Sequence, residues 1–155
     1  MRSITSAAAL LTLGLSLAAC TTQAPPADKA AAPAAPVSAS STAEVLARHQ
    51  KTFGASDLEG VLADYAPDAV MFTPGGPVKG TDELRKTFQT LFAEWGKPGT
   101  TFEMKKETVD GKNAYMFWNA ETGDNIYEAG QDAFVVENGK IVAHFFSAKI
   151  TAKKK

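Results

Sequence analysis

Three turn signals divide the second half of the sequence into four segments of similar length. Each signal joins glycine to aspartate or asparagine, at Asp110-Gly111, Gly123-Asp124 and Asn138-Gly139. Such pairs favour tight hairpin turns because these residues tolerate a left-handed backbone. The segments are rich in β-branched and aromatic residues and cover residues 100–109, 113–121, 125–136 and 140–150. The pattern predicts a meander of four long antiparallel strands, whose apolar face needs a cover.

Apolar residues at helical spacing predict two helices ahead of the meander. The first covers residues 43–53. The second begins at Ser56 or Asp57, either of which can cap it, and ends at Pro67. Their apolar faces are Val45, Leu46, His49 and Phe53, then Leu58, Val61, Leu62 and Tyr65.

A short strand and a third helix complete the predicted order. The strand covers residues 69–73 and ends in a turn at residues 74–77. Thr81 caps the third helix, and its acidic first turn suits the helix dipole. Its apolar face is Leu84, Phe88, Leu91, Phe92 and Trp95. The order predicts an α+β domain in which three helices pack on a curved, mainly antiparallel sheet.

The first 41 residues differ in composition from this domain. Residues 1–19 place one basic residue ahead of an apolar run, which is typical of a secretory signal peptide and is too short to span a membrane. Residues 20–41 are mostly Ala, Pro, Ser and Thr, which predicts an extended tether. The domain then covers residues 42–150, and residues 151–155 form a basic tail.

The segment Leu17-Ala18-Ala19-Cys20 resembles the lipobox of bacterial lipoproteins, which is cut before a cysteine that receives lipid. Cys20 is the only cysteine, so the chain has no internal disulfide. The resemblance implies lipidation at Cys20 and a membrane anchor in the bacterial cell envelope. Thr21 after the cysteine resembles lipoproteins of the outer membrane, with the domain facing the periplasm. An ordinary signal peptide with an unrelated cysteine is the alternative.

The charge balance and the histidine count argue against two classes of function. The sequence holds 16 Lys and Arg against 17 Asp and Glu, whereas a nucleic-acid binder normally shows a basic face. Its two histidines, His49 and His144, are few for a transition-metal centre. We therefore expect no nucleic-acid partner, no metal and no cofactor.

Residues 56–74, SDLEGVLADYAPDAVMFTP, resemble the nuclear transport factor 2-like superfamily in its SnoaL-like and ketosteroid isomerase branch. Residues 78–84 and 139–142 extend the resemblance, which covers the whole domain. It implies a cone-shaped fold with a cavity between the helices and the concave sheet. Such cavities host isomerases, dehydratases, cyclases, hydrolases and non-catalytic binding domains, so the resemblance specifies the fold better than the activity.

The isomerase family has three functional polar positions, and each can be aligned with one residue of this sequence. Its helix tyrosine falls on His49, its base aspartate on Thr73, and its protonated late-strand aspartate on Asp132. A threonine hydroxyl cannot take a proton unaided near neutral pH, so the isomerase base is missing. His49 and Asp132 remain the candidate catalytic residues if the domain is an enzyme.

The position of His144 relative to Asp132 depends on the turn at Asn138-Gly139. A two-residue turn directs the two side chains to opposite faces of the sheet. A three-residue turn with a bulge at Gly139 sets them directly opposite each other on one face. The sequence leaves both registers open.

The candidate ligand-binding residues are His49, Thr73, Phe88, Phe92, Met116, Trp118, Asp132 and His144. Our leading hypothesis is a domain that binds a small, largely apolar molecule in the cavity without catalysis. The first alternative is an isomerase, dehydratase or hydrolase with His49 as base and Asp132 as donor to an oxyanion. The second is an interaction module for another envelope protein.

Residues 115–118, Tyr-Met-Phe-Trp, are apolar on both faces of their predicted strand. One face can pack on the helices, whereas the other needs a cover such as a second subunit. We therefore expect a homodimer through the sheet face.

Overall fold

The structure, a computed structural model, describes residues 39–154, with side chains from residue 42 onward. Its elements are α1 (Ala39–Gly54), α2 (Leu58–Ala63), β1 (Tyr65–Thr73), β2 (Gly76–Lys79), α3 (Gly80–Trp95), β3 (Thr101–Asp110), β4 (Asn113–Glu121), β5 (Asn125–Glu137) and β6 (Lys140–Ala152). The predicted signal peptide, Cys20 and most of the predicted tether lie outside the described residues. Among the described helices, none is long and apolar enough to cross a membrane.

The strands form one sheet in the order β2-β1-β6-β5-β4-β3. Strands β1 and β6 are parallel, and every other neighbouring pair is antiparallel. Register shifts interrupt the ladders within the meander, and such bulges bend and twist a sheet. The predicted α+β class, with helices on a curved and mainly antiparallel sheet, is confirmed.

The helices cover one face of this sheet and enclose the core with it. Helix α3 packs on β1, and α1 packs on β3 and β4. The largest fully buried apolar side chains are Phe88, Phe134, Leu46, Leu84 and Ile141. Burial of each such side chain stabilises the fold by about 1.5–3 kcal/mol.

The second helix is shorter than predicted, because β1 begins where the sequence pattern continues the helix. Asp57 caps α2 by accepting a hydrogen bond from the backbone N–H of Gly60 at 2.9 Å. The helix ends at Ala63, and Tyr65 already belongs to β1. Pro67 therefore lies in a strand, at a gap in the β1–β6 pairing where its missing N–H breaks no ladder.

The segment predicted to be a turn, residues 74–77, includes the start of strand β2, which the sequence pattern does not predict. Residues 74 and 75 alone form the turn, and Thr73 pairs with Gly76 at the start of β2. Pro77 is tolerated in β2 because this strand is the edge of the sheet. The cap predicted at Thr81 is also wrong, since Lys79 is the N-cap of α3 and its N–H donates to Glu83 Oε2 at 2.7 Å.

The two-residue alternative for the β5–β6 hairpin is right at the turn, but the facing that it implies for Asp132 and His144 is wrong. Asn138 and Gly139 form a two-residue turn, both with positive φ, so that Glu137 pairs with Lys140. One extra residue of β6 then enters the ladder, because Val136 pairs with Ile141 but Val135 pairs with Ala143. This bulge places His144 opposite Phe134 and Phe146 opposite Asp132. Asp132 and His144 therefore share a face as diagonal neighbours.

Gly130 makes room for the indole ring of Trp118, its partner across β4 and β5. A Cβ at residue 130 would lie 2.5 Å from atoms of that ring, a distance that real Cβ atoms do not show. The neighbouring Ala129 has a φ of 50°, at a register shift between β5 and β6. The glycine thus lets the indole lie over β5 beside Asp132.

We expect Gly130→Ala to lower the free energy of unfolding by about 1–3 kcal/mol because the added methyl overpacks the indole. Ala129→Gly is the matched control. The substitution removes the strain of the positive φ, but it also raises the conformational entropy of the unfolded chain. Because these effects oppose each other, the free energy of unfolding should stay within about 1 kcal/mol of the wild-type value. Urea unfolding of both variants measures the difference. Equal stability of the two would contradict this account of Gly130.

Candidate functional site

A cavity of about 770 Å³ lies between the helices and the sheet. Its wall is mainly apolar and includes Met71, Phe88, Leu91, Trp95, Met116 and Phe146. Exposed lining residues include Gly54 and Ala55, at the end of α1 and the start of the α1–α2 connection, and Lys97 and Gly99 of the α3–β3 connection. The opening therefore lies between these two connections. The volume is within the range of sites for small molecules.

Three buried polar side chains line this cavity. His49 comes from α1, Asp132 from β5 and His144 from β6, and each residue is less than a tenth exposed. The sequence separates them by up to 95 positions, yet the two imidazole rings lie with their centroids 6.2 Å apart. The fold thus brings together three of the candidate ligand-binding residues that the sequence predicts, including His144, whose position the sequence leaves open.

Asp132 is held by two neighbours on the sheet. Trp118 Nε1 donates to Asp132 Oδ2 at 2.5 Å, and His144 Nε2 lies 2.7 Å from Asp132 Oδ1. His144 Nδ1 lies 2.8 Å from the hydroxyl of Tyr65. Phe134 stacks on the His144 imidazole at 4.3 Å, which fixes its orientation. The four polar side chains form one buried chain of hydrogen bonds that joins β1, β6, β5 and β4.

Tyr65 keeps its proton in this chain. Burial raises the pKa of Tyr65 well above its ordinary value, and the nearby carboxylates of Asp132 and Asp64 raise this pKa further. The hydroxyl of Tyr65 is therefore available as a hydrogen-bond donor at any physiological pH.

His49 lies near a second aspartate, Asp64, which directly follows α2. Its Nδ1 lies 3.6 Å from Oδ2 of the fully buried Asp64, longer than a hydrogen bond, and neither atom has another hydrogen-bond partner in the described part of the chain. Asp64 Oδ1 accepts from Arg48 Nε. Aromatic rings of Tyr65, Phe88 and Phe134 surround the imidazole at centroid distances of 5.5–6.3 Å.

The pKa of His49 lies below its ordinary value. Burial is the main cause, since it penalises the charged imidazolium, and His144 lowers this pKa further. Asp64 and Asp132 oppose the change without cancelling it. His49 is therefore a neutral imidazole at pH 7, able to accept a proton or a hydrogen bond.

Of the remaining predicted site residues, some line the cavity and one packs in the hydrophobic core. Phe88, Met116 and Trp118 line the cavity. Phe92 does not, because its ring packs between those of Phe53 and Phe88. Thr73 lines the cavity, but its hydroxyl serves the β1–β2 turn, donating to the Gly76 carbonyl at 2.9 Å and accepting from the Gly75 N–H at 3.2 Å.

Sequence reasoning missed Tyr65, Asp64 and Arg48 as parts of the site. Tyr65 was placed on the apolar face of a helix, so its pairing with His144 across parallel strands had no local signal. Asp64 immediately precedes β1 and follows an apolar helix turn, a position that suggests a buried carboxylate only once α1 is seen to lie beside it. Among the described residues, no group of three or more His, Cys, Asp or Glu could hold a metal ion.

Helices packed on one face of a curved sheet, with a lined cavity between them, define the fold class of this domain. Residues 46–144 match the model of the SnoaL-like domain family. The chain therefore belongs to the SnoaL-like domain family, within the nuclear transport factor 2-like group of folds.

Solved structures support this fold assignment. A nuclear transport factor 2-like protein of unknown function from Mesorhizobium loti is 22% identical, with a TM-score of 0.61 over 72% of this chain and 93% of that chain. A candidate ketosteroid isomerase from Kribbella flavida is 17% identical, with a TM-score of 0.60 over 75% and 83%. A candidate polyketide cyclase from Sinorhizobium meliloti is 18% identical, with a TM-score of 0.57 over 67% and 94%. Comparison with curated proteins finds no match.

We expect the free energy of unfolding to fall as the pH is lowered through 6.5, the ordinary pKa of histidine. The unfolded chain takes up a proton at His49 there, whereas the folded protein resists that proton until the pH reaches its lowered pKa. The dependence levels off below the folded-state pKa. Urea unfolding at a series of pH values measures the effect.

His49→Gln is the control for this pH dependence. The variant keeps a polar side chain without a titrating group, so its stability should change less across the same interval. Titration of the imidazole by NMR gives an independent check. A folded-state pKa of His49 above 6.5 would contradict the predicted sign.

Proposed function

We propose that this domain binds a small, largely apolar molecule in its cavity and holds the polar end of that molecule against Asp132 and the two imidazoles. The observation that supports the proposal most is the composition of the wall, which is mainly apolar and whose buried polar residues, His49, Asp132 and His144, converge. A preformed apolar cavity with a few convergent polar groups is the usual form of a small-molecule site. Shape and apolar area then give affinity, and the polar group gives orientation.

The proposal is for binding without catalysis because the site lacks a base where the isomerase family has one. Thr73 occupies that position, and its hydroxyl is engaged in the β1–β2 turn. Asp132 and His144 are bonded to each other and to Trp118 and Tyr65. These side chains are arranged to stay fixed rather than to exchange protons with a substrate.

An enzyme is the second candidate, and the environment of His49 favours it. This neutral imidazole lines the cavity with the buried carboxylate of Asp64 on its other side. A carboxylate beside a histidine stabilises the imidazolium that forms when the ring accepts a proton. A turnover that survives His49→Gln would reject His49 as the base.

We expect the purified protein to bind N-phenyl-1-naphthylamine, a neutral apolar probe whose fluorescence rises in an apolar site. Leu91→Trp should weaken this binding about tenfold or more because the added indole occupies the cavity. Leu58→Trp adds the same side chain on α2, away from the lining, and is the matched control. Equal affinity of the two variants would show that the probe binds elsewhere and would contradict the proposed site.

We further propose that the outer face of the sheet forms a homodimer. Along each strand, every second side chain points away from the cavity, and Tyr115 and Phe145 are exposed residues of this outer face. The ring of Phe145 stacks on the ring of Phe72, which is also exposed, with the two centroids 4.8 Å apart. Apolar clusters of this kind on a sheet face mark interaction surfaces. Another envelope protein on the same face is the alternative.

Native mass spectrometry of the purified protein tests the dimer and reports any retained small molecule in the same spectrum. The wild type should be a dimer. Phe145→Glu should be a monomer because it places a charge in the contact. Ile150→Glu, which changes an equally exposed residue of the same strand, should remain a dimer. A monomeric wild type would remove the dimer from the proposal.

The anchoring of the chain is also a proposal, and it rests on the sequence alone. We propose that Cys20 carries lipid and that residues 20–41 tether the domain to the bacterial cell envelope, at the periplasmic side of the outer membrane. In a bacterial host, the wild type should partition into the detergent phase with a mass increase on the peptide that begins at Cys20. Cys20→Ala should remain in the aqueous phase. Equal partitioning of both would contradict lipid attachment.

A further inference from the structure

The direction of the hydrogen bonds at Asp132 can be read from the donors around it. Trp118 Nε1 carries a hydrogen and has no lone pair to accept with, so Asp132 Oδ2 is an acceptor in this contact. The second contact joins Asp132 Oδ1 to His144 Nε2, and a ring nitrogen can either donate or accept. The state of Asp132 therefore depends on which nitrogen of His144 carries the proton.

The contact of Tyr65 with the other ring nitrogen, Nδ1 of His144, identifies which nitrogen carries the proton. In the described part of the chain, its buried hydroxyl has one hydrogen-bond partner, Nδ1 of His144. If Nδ1 carried a proton, it would donate to Tyr65, and the O–H of Tyr65 would be left buried without an acceptor. A buried unpaired donor is costly, so Tyr65 donates to Nδ1. The proton of His144 then sits on Nε2 and is donated to Asp132.

Asp132 consequently accepts a hydrogen bond at each of its two oxygens, which favours the charged carboxylate. A carboxylate offers about four lone-pair positions, and two of these are used by His144 and Trp118. The side chain is 11% exposed and lines the cavity, so its remaining capacity is available to a molecule bound there. Among the described residues, no lysine or arginine forms an ion pair with Asp132, so the charge is not neutralised by a cationic side chain.

We propose that the cavity selects molecules whose polar end is a hydrogen-bond donor, a hydroxyl or an N–H, and discriminates against those whose polar end is a carboxylate or an acceptor alone. This inference rests on the proposed binding function and names the class of its ligand. A donor on the ligand forms one more hydrogen bond to the carboxylate of Asp132, and this bond is charge-assisted. An ether or ketone oxygen leaves that capacity unused, and a carboxylate meets a like charge in a site that excludes water.

The inference reverses the role that the isomerase resemblance implies for this position. There the late-strand aspartate is protonated and donates to an oxyanion. Here two N–H groups donate to Asp132, one at each oxygen, an arrangement that favours the charged carboxylate over the protonated acid. Asp132 therefore does not serve an oxyanion, and the enzyme alternative loses its second catalytic residue.

Three probes that share one apolar body test this selection in the purified protein. They are 2-naphthol, 2-methoxynaphthalene and 2-naphthoate, measured by isothermal titration calorimetry at neutral pH. We expect 2-naphthol to bind at least about tenfold more tightly than the methyl ether, the range for a hydrogen bond to a charged group. The naphthoate should bind more weakly than the ether.

Two variants connect the preference to the hydrogen-bond chain. Asp132→Asn keeps the shape but offers an N–H₂ to the ligand, so the preference for naphthol should fall to about threefold or less and the penalty on naphthoate should diminish. Tyr65→Phe removes the donor that fixes the His144 proton, and it should lower the preference even if Asp132→Asn does not fold. Tyr115→Phe, on the outer face, should retain the full preference.

The outcomes separate this inference from the proposed function. Binding of all three probes with equal affinity, or tighter binding of the ether or the naphthoate, leaves the cavity a ligand site but overturns selection for a donor. Absence of binding by every probe overturns the proposed function and the inference with it. A naphthol preference that persists in both Asp132→Asn and Tyr65→Phe shows that another group selects the ligand and also overturns it.

Discussion

The buried carboxylate of Asp132 is the constraint on which the arrangement of this domain depends. A charge in an apolar cavity is costly unless donors surround it. The fold supplies these donors from three other strands: Trp118 on β4, His144 on β6 and, through His144, Tyr65 on β1. Trp118 and His144 reach Asp132, and Tyr65 reaches His144, only in one register of each strand. The carboxylate thus couples the polarity of the cavity to the pairing of the four central strands.

The sequence contains much of this fold and only part of the site. Helical spacing and glycine turns predict the order of the main helices and strands because these signals are local. Met116 and Trp118, which line the cavity, are pocket candidates only through the family resemblance and not through their spacing. The bulge that aligns His144 with Asp132 has no comparable signal. It inserts one ordinary residue, Val142, after the second residue pair from the turn, whereas the glycine signal marks only the turn itself.

Tyr65 and Phe92 illustrate why the other details escaped prediction. Tyr65 has a helical position relative to Val61 and Leu62, but its hydroxyl gains a buried partner only when it starts a strand parallel to β6, a pairing 79 residues away. Phe92 shares the apolar face of α3 with Phe88. Which of the two borders the cavity depends on the packing of Phe53 from α1, so helical spacing alone cannot separate them.

The two histidines show how similar neighbours can lead to different chemistry. Each imidazole lies near an aspartate, yet the hydrogen-bonding capacity of His144 is used by Tyr65 and Asp132, whereas Nδ1 of His49 stops 3.6 Å short of Asp64. A ring that already donates and accepts inside the protein cannot exchange a proton with a ligand without breaking that chain. His49 is not bound in this way, and its lowered pKa leaves it neutral at pH 7. Under the proposed function, chemistry in this cavity would start at His49, and Asp132 would select the molecules that occupy it.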